Sequence, residues 1–424
     1  MNTSIGVPFC ATLQQAIKDR FHFVDEDFAG NRRLFLDNAG GSFRLKAALE
    51  RATLVDAIPD CSERTHEVAR HLQQIEAQGA ADARLIFNAD GGSIFASHTA
   101  SGAMFDVIRA VAENVAGTNV VTTVLEHPSS FDAVSCYAAK TGKQMRVAAS
   151  NPATGGVDVD ALVELVDRDT CFLSVMYASN ISGAKLDIES IVQRSREVKP
   201  DLFIIVDAVQ HAPHGVIDVR RTRVDAMNVA PYKFYGCRGS GITWLSDRMA
   251  RLAHHKLAAK GETVWDLGSP APAQFAVVTA IVDYVCWLGE RFVRSDDRRE
   301  LFVEGMRRIE LHERALLARL LDGNRDVPGL RAIEGVTVHL DYRDLSKRDM
   351  VVAMSIDRLT PADAVREYEK RGVIVYERVQ DSLYSRRMLD SFGLSGAIRV
   401  SPLHCHSFDD IDRFLRVTTE LASR

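Results

Sequence analysis

The sequence lacks the cysteine and charge patterns that mark several protein classes. Its seven cysteines are an odd number and no two have CxxC spacing. A disulfide framework or a zinc site is therefore not indicated, and a reducing compartment is the simpler expectation. Lys and Arg number 52 against 57 Asp and Glu, for a formal charge of -5. The chain thus lacks the basic excess typical of proteins that bind nucleic acid.

Signals for secretion and for membrane insertion are also missing. The N-terminus has no basic region followed by an apolar one, so we expect no secretory signal. The most apolar stretch, residues 275–289, is short and contains Asp283, and we do not expect it to span a membrane. Together with the cysteine pattern, these absences predict a cytoplasmic protein.

What the sequence does contain is an alternation of short apolar runs with amphipathic helical patterns. At 424 residues and 46% hydrophobic content, the chain is long enough for two or three structural units. Strands that alternate with helices indicate βαβ units and a mostly parallel sheet buried on both faces. The apolar runs are residues 119–125, 170–177, 202–208 and 241–246.

After about Asp297 the pattern changes to that of a smaller α+β domain. A long helical pattern leads into strand-like segments, and the last helix begins at Ser407 with Asp410 three residues on, as in a capping box. The sequence predicts three parts: an N-terminal segment, residues 1–46, packing with the small domain; a large domain, residues 47–296; and the small domain, residues 297–424.

Suggestive polar residues follow the predicted strands. His127 follows the run at 119–125, Asn180 follows the run at 170–177, and Asp207 ends the next run, with Gln210 three residues later. Lys233 then lies between two tyrosines and just before glycines in APYKFYGCRGSG. Because ligands of such sheets bind at the carboxyl ends of the strands, we expect these side chains to meet at one site.

This set of residue types suits pyridoxal-phosphate (PLP) chemistry. A lysine must form a Schiff base, and it needs a desolvated or cationic setting to lower its pKa. A carboxylate such as Asp207 must keep the pyridine nitrogen protonated, because the protonated ring is the electron sink. The phosphate needs backbone N–H groups, which a helix beginning after Thr99 and Ala100 would offer.

Each feature also has an ordinary explanation. A lysine among glycines is usually a solvated loop residue, and an Asp ends parallel strands in many α/β enzymes. His127 could simply begin a helix, and Asn180 could form a turn. The ordered set at consecutive strand ends is what favours the PLP interpretation.

The order of these motifs resembles the class V aminotransferase family, from FLDNAGG at 35–41 to RVSPLH at 399–404. That family includes cysteine desulfurases, selenocysteine lyases and isopenicillin N epimerases. LDNAGGS and YKFYG are most similar to the cysteine-desulfurase-like branch. The resemblance implies the α/β fold of fold-type I PLP-dependent transferases: a mostly parallel, seven-stranded sheet sandwiched by helices, with a smaller α+β domain. It also implies a homodimer with shared active sites and a small amino-acid substrate.

Five residues acquire roles around the cofactor ring from this resemblance. Lys233 would form the Schiff base, His127 would stack on the ring, and Asp207 would pair with the ring nitrogen. Gln210 and Asn180 would lie near the phenolic oxygen.

Five more residues acquire roles at the phosphate or at the substrate. Thr99 and Ala100 would contact the phosphate, and Tyr232 stands where many members have a phosphate-contacting histidine. Ser269 would reach the phosphate of the neighbouring subunit. Arg399 would hold the substrate carboxylate, although a structural ion pair with a core Asp or Glu is an alternative explanation for its burial.

The sequence departs from cysteine desulfurases where those enzymes carry their persulfide-forming cysteine. Here that stretch, residues 377–398, contains no cysteine. We expect Cys237 and Cys405 to be structural, and no metal, since His404 and His406 would alternate on a strand and give only two ligands.

These observations predict a lyase that works at Cβ, by elimination, decarboxylation or addition, without persulfide transfer. An aminotransferase or an epimerase would use the same residues and remains an alternative. A non-catalytic PLP-binding protein is a third possibility, against which the presence of both Lys233 and Arg399 argues.

Overall fold

The computed structural model describes residues 6–423. The strands are β1 (Leu34–Phe35), β2 (Ser93–Ser97), β3 (Asn119–Thr123), β4 (Gln144–Ala148), β5 (Thr170–Met176), β6 (Phe203–Asp207), β7 (Ala226–Val229), β8 (Gly241–Leu245), β9 (Val336–His339), β10 (Val352–Ile356), β11 (Val373–Ile374), β12 (Tyr376–Val379) and β13 (Gly396–Val400). The helices are α1 (Ala11–Lys18), α2 (Lys46–Asp56), α3 (Glu67–Phe87), α4 (Ala100–Asn114), α5 (Pro128–Lys140), α6 (Val159–Val163), α7 (Ile188–Val198), α8 (Val219–Thr222), α9 (Asp247–Ala250), α10 (Pro272–Gly289), α11 (Arg298–Asp322), α12 (Pro361–Glu369), α13 (Arg386–Phe392) and α14 (Phe408–Ala422).

Seven strands form the predicted large sheet in the order β2-β8-β7-β6-β5-β3-β4. Strands β4, β3, β5, β6 and β7 pair in parallel. Strand β8 runs antiparallel to both of its neighbours, β2 and β7. The prediction of a mostly parallel, seven-stranded sheet is confirmed.

Both faces of this sheet are buried, as parallel strands require. Successive residues of a strand point into different cores. Val120 of β3 and Phe172 of β5 pack with helices α4 and α5. Val121 and Leu173 pack on the other face, in a cluster that also contains residues of α7, α10 and the first half of α11. We call this second cluster the large core.

A smaller antiparallel sheet has the order β12-β13-β10-β9. One face of it packs on α12, α14 and the second half of α11, in a cluster that includes Val352, Ile398 and Val400. We call this cluster the small core. The N-terminal segment joins this part of the molecule through β1, which pairs in parallel with β11. The division at residues 46/47 and 296/297 stays a proposal.

Helix α10 is long and apolar enough to cross a membrane by length and composition, with a mean hydropathy of 1.3. Yet 67% of it is buried inside the protein, where it packs against α2, α3 and α11. The structure therefore uses α10 as a core helix.

Two details near the C-terminus test the sequence patterns. The capping box of α14 is present, with Ser407 and Asp410 bonded to each other's backbone N–H groups. The expectation that His404 and His406 alternate on a strand is wrong, because β13 ends at Val400 and both histidines lie in the turn after it. Among residues 6–423 no three His, Cys, Asp or Glu side chains cluster as a metal site.

Gly79→Ala tests the close crossing of α3 and α10. A Cβ at this position would lie 2.4 Å from the Cβ of Phe275. Alanine inside a helix normally makes a protein more stable than glycine does, by about 1 kcal/mol. Here we expect the clash with Phe275 to outweigh that gain and to lower the free energy of unfolding by about 1–3 kcal/mol. Thermal denaturation should show a lower midpoint.

Ala77→Gly, at an exposed position of the same helix, measures the effect of helix propensity without a clash. It should lower the free energy of unfolding by about 1 kcal/mol. A Gly79→Ala variant more stable than the parent would show that the two helices have room to separate.

Candidate active site

The carboxyl ends of the parallel strands and the beginning of α4 surround a cavity of about 380 Å3. Eight of the ten predicted site residues line it: Thr99, Ala100, His127, Asn180, Asp207, Gln210, Tyr232 and Lys233. The other two, Ser269 and Arg399, lie outside its lining. The structure thus brings together side chains separated by up to 134 positions in the chain.

Lys233 lies in a short 3-10 helix, Pro231–Lys233, just after β7. The residue is only 8% exposed, and its Nζ lies 3.5 Å from Oε1 of Gln210. Burial, together with the charge of Arg399, lowers the pKa of Lys233 to about 8, although the charge of Asp207 opposes this shift. An amine in this setting is uncharged far more often than a solvated lysine, as a nucleophile must be.

Asp207 ends β6 with both carboxylate oxygens held by donors. The N–H of Val209 donates to Oδ1 at 3.0 Å, and the hydroxyl of Ser130 donates to Oδ2 at 3.3 Å. Burial raises the pKa of Asp207, whereas these donors and the Lys233 charge lower it. A protonated ring nitrogen placed against this carboxylate would stabilise its ionised form further.

His127 caps the N-terminus of α5, and its Nδ1 accepts a hydrogen bond from the N–H of Ser129 at 3.2 Å. Burial, aided by the charge of Lys233, lowers the pKa of His127 to about 3. The ring of Tyr384 stacks beside it at a centroid distance of 5.9 Å. A neutral imidazole held at the cavity wall is suited to stacking on an aromatic ligand.

The beginning of α4 forms the end of the cavity that can bind an anion. Thr99 caps the helix by accepting the N–H of Gly102 at 2.9 Å, and the first turn has no acidic residue. Asn228 fixes this turn by donating to the carbonyl of Ala100 at 2.9 Å. Strand β8 approaches so closely that a Cβ on Gly241 would lie 2.4 Å from the nitrogen of Ala100. Free backbone N–H groups at a helix N-terminus suit a phosphate.

These features fit PLP. The cavity offers a buried amine, a carboxylate and a flat aromatic wall, with a helix N-terminus for the phosphate. The chemistry of these groups matches what the ring, the aldehyde and the phosphate each require.

Arg399 lies on β13 and forms the ion pair that the sequence left open. Its Nη2 is 2.5 Å from Oδ1 of Asp37, and its Nη1 donates to the carbonyl of Asn180 at 3.3 Å. Its Nε is buried with no hydrogen-bond partner. The Asp37 pair is therefore present, and a role for Arg399 at the substrate stays a proposal.

Tyr232 and Ser269 have different surroundings. Tyr232 lies under the guanidinium of Arg238, 4.6 Å from its ring centroid, and its carbonyl accepts a hydrogen bond from Arg44 at 2.7 Å. Ser269 is exposed and donates a hydrogen bond to Glu63. Its contact with the phosphate of a neighbouring subunit stays a proposal.

The cysteine-free stretch, residues 377–398, folds as β12, helix α13 and most of β13. Arg387 of α13 ties it to the cavity wall by donating to the carbonyls of Val124 and Glu126, the latter at 2.7 Å. Cys405 is fully buried and Cys237 is half-buried. Burial raises the pKa of both thiols, which makes each a poorer nucleophile.

Several site residues were missed by the sequence analysis. Asn228 and Ser130 hold Ala100 and Asp207, and Asp37 holds Arg399. The buried Glu126, which accepts the N–H of Met176 at 2.9 Å, stands directly before His127. A polar residue inside an apolar run, as in AMNVAP, was the one available signal for Asn228.

Comparisons with known proteins agree with this geometry. The Aminotransferase class-V family model matches residues 34–414. A probable cysteine desulfurase 2 of Mycobacterium leprae is 24% identical over 91% of each chain, and a probable cysteine desulfurase of Synechocystis is 24% identical over 96% of this chain and 94% of its own. One from Streptomyces coelicolor is 25% identical, but only 59% of its length is matched.

Solved structures show the same fold. The apo structure of a cysteine desulfurase from Thermococcus onnurineus has a TM-score of 0.78 at 18% identity, covering 92% of this chain and 95% of its own. A cysteine desulfurase from Escherichia coli has a TM-score of 0.77 at 17% identity, covering 96% and 98%. With the family model matching nearly the whole chain, this protein belongs to the class V aminotransferase family of PLP-dependent enzymes.

Proposed function

We propose that this PLP enzyme is a lyase that acts at the β-carbon of a small amino acid and does not transfer a persulfide. The observation that carries the proposal is the stretch at 377–398. It has no cysteine, and it is folded as a helix that Arg387 fastens to the cavity wall. A persulfide-forming enzyme needs a thiolate that can reach the substrate.

We assign the cofactor ring to five residues. PLP supplies an electron sink for the bonds of the substrate's α-carbon. Lys233 holds the cofactor through its amino group and then moves the α-proton. Asp207 keeps the ring nitrogen protonated and His127 covers the ring, while Gln210 and Asn180 lie near its phenolic oxygen.

We assign the phosphate to the beginning of α4, at Thr99 and Ala100, with Tyr232 beside it. Ser269 would complete this site from the neighbouring subunit of a homodimer. Its exposed position and its place outside the cavity lining support such a role. We place the enzyme in the cytoplasm, which the scattered, unpaired cysteines support.

We assign the substrate α-carboxylate to Arg399. Its planar fork can give two parallel hydrogen bonds to a carboxylate, and its unpartnered Nε leaves a donor for one. Its charge already acts on Lys233, so a carboxylate held there would lie beside the reacting centre.

Incubation with L-cysteine tests the absence of persulfide transfer. We expect no protein-bound persulfide by intact-protein mass spectrometry, because Cys405 is buried and Cys237 is half-buried. A persulfide on Cys237 or Cys405 would contradict the proposal.

Product analysis across an amino-acid panel separates a lyase from an aminotransferase, which would need a keto acid for a second turnover, and from an epimerase, which would invert the α-carbon.

Asp207→Ala tests the carboxylate at the ring nitrogen. The variant should fold and bind PLP but lose roughly 100-fold or more in kcat, because its ring is no longer held protonated. Asp201→Asn, an exposed change near the start of β6, is the matched control and should leave kcat unchanged. Near-normal turnover by Asp207→Ala would refute the assignment.

The pH dependence of cofactor attachment tests the setting of Lys233. Only the neutral amine attacks the aldehyde, so the rate of attachment to the apoenzyme should rise with pH and level off above about 8, where the pKa of Lys233 lies. Arg399→Gln removes a nearby positive charge and should move this midpoint to higher pH. The rate at which free Nα-acetyl-lysine reacts with PLP, measured over the same pH range, corrects for the titration of the cofactor itself. A rate for the protein that keeps rising through pH 10 would mean that Lys233 behaves as a solvated lysine.

A further inference from the structure

Arg378 is a second buried guanidinium beside the proposed substrate site, and no role has been assigned to it. It lies on β12 and is 4% exposed. Its Nη2 donates to the carbonyl of Tyr384 at 2.9 Å, and its Nε is buried with no hydrogen-bond partner. No Asp or Glu oxygen of residues 6–423 lies within 4.0 Å of its nitrogens.

Strand register puts Arg378 and Arg399 on one face of the small sheet. Arg378 is directly opposite Ala397, and Ala397 and Arg399 are two residues apart on β13. Opposite residues and alternate residues share a face, so the two arginines are diagonal neighbours on it.

That face is turned toward the cofactor cavity. Ile398 and Val400 point the other way into the small core, whereas Ala397 packs in the large core. The charge of Arg378 acts on Lys233 and also on His127, the two residues at the reacting end of the cavity. Tyr384 joins these groups, since its carbonyl holds Arg378 while its ring stacks beside His127.

Of the two guanidinium groups that act on Lys233, one has no ion-pair partner among residues 6–423. Arg399 has Asp37 as a partner, and Asp207 stands at the position assigned to the ring nitrogen. Arg378 forms an ion pair with neither carboxylate, although the charge of Asp37 also acts on it, and burial together with Arg399 lowers its pKa to about 9. A buried guanidinium without a counter-charge is costly, so a fold that keeps one requires an anion to meet it.

We propose that Arg378 binds a second, side-chain carboxylate, and that the substrate is a short acidic amino acid such as aspartate. This inference rests on the proposed function, in which Arg399 takes the α-carboxylate. With one carboxylate on Arg399, the side chain of a short acidic amino acid extends across the same sheet face toward Arg378. A guanidinium fork recognises the paired oxygens of such a carboxylate.

Paired ligands that differ only in charge test the inference on the holoenzyme. Apparent dissociation constants come from the absorbance change of the bound cofactor with aspartate and with asparagine. We expect aspartate to bind about thirtyfold or more tightly than asparagine, as for a buried charge pair. Calorimetry with unreactive succinate and butyrate should show the same preference for the diacid without any chemistry at the cofactor.

Variants then assign the preference to one side chain. Arg378→Gln should reduce the ratio of aspartate to asparagine affinity to near one, whereas Arg399→Gln should weaken both amino acids and retain the ratio. Arg386→Gln, an exposed arginine in the same stretch, is the matched control and should change neither affinity.

Equal binding of aspartate and asparagine, and of succinate and butyrate, by the unaltered protein would overturn the inference. It would mean that another group, such as a carboxylate of a second subunit, neutralises Arg378. This result stands even if Arg378→Gln fails to fold. If no amino acid changes the cofactor spectrum while succinate is still preferred, the proposed function fails and the anion site at Arg378 is upheld.

Discussion

The burial of the Lys233 amino group among other positive charges is the constraint on which the site depends. Two guanidiniums, of Arg378 and Arg399, act on it, and the carboxylates of Asp37 and Asp207 oppose them. The result is an amine that loses its proton more easily than in water and a cavity that attracts anions. Both properties suit an enzyme that must attach an aldehyde and then bind an amino acid as its carboxylate.

The two sheets contribute opposite parts of this arrangement. The large parallel sheet supplies Asp207, His127 and Lys233 from its strand ends and loops, and the small antiparallel sheet supplies Arg378 and Arg399 from one face. In the proposed assignment, cofactor attachment and substrate binding thus depend on different structural units. The packing of Ala353 and Ala397 of the small sheet in the large core fixes how the two parts meet, and it brings Arg378 and Arg399 close enough for their charges to act on Lys233.

Sequence reasoning found the large-sheet side of the site because carboxyl ends of parallel strands converge. His127 and Asn180 follow predicted apolar runs, Asp207 lies near the end of a third, and Lys233 stood out by its setting between tyrosines and before glycines; all four line one cavity. Contacts between distant segments could not be found from the sequence. The ion pair of Asp37 with Arg399, for example, joins residues 362 positions apart. Arg378 could not be recognised either, since its meaning depends on the register of β12 against β13. Strands β4 and β7 were missed because they are short and interrupted by polar residues.

Reductive trapping tests most directly whether Lys233 carries the cofactor. Borohydride treatment of the holoenzyme, followed by proteolysis and mass spectrometry, should place the reduced pyridoxyl group on the peptide that contains Lys233. The buried position of this amine beside Asp207 and Gln210 predicts that single product. A pyridoxyl group on any other lysine, with the Lys233 peptide unmodified, would contradict the account.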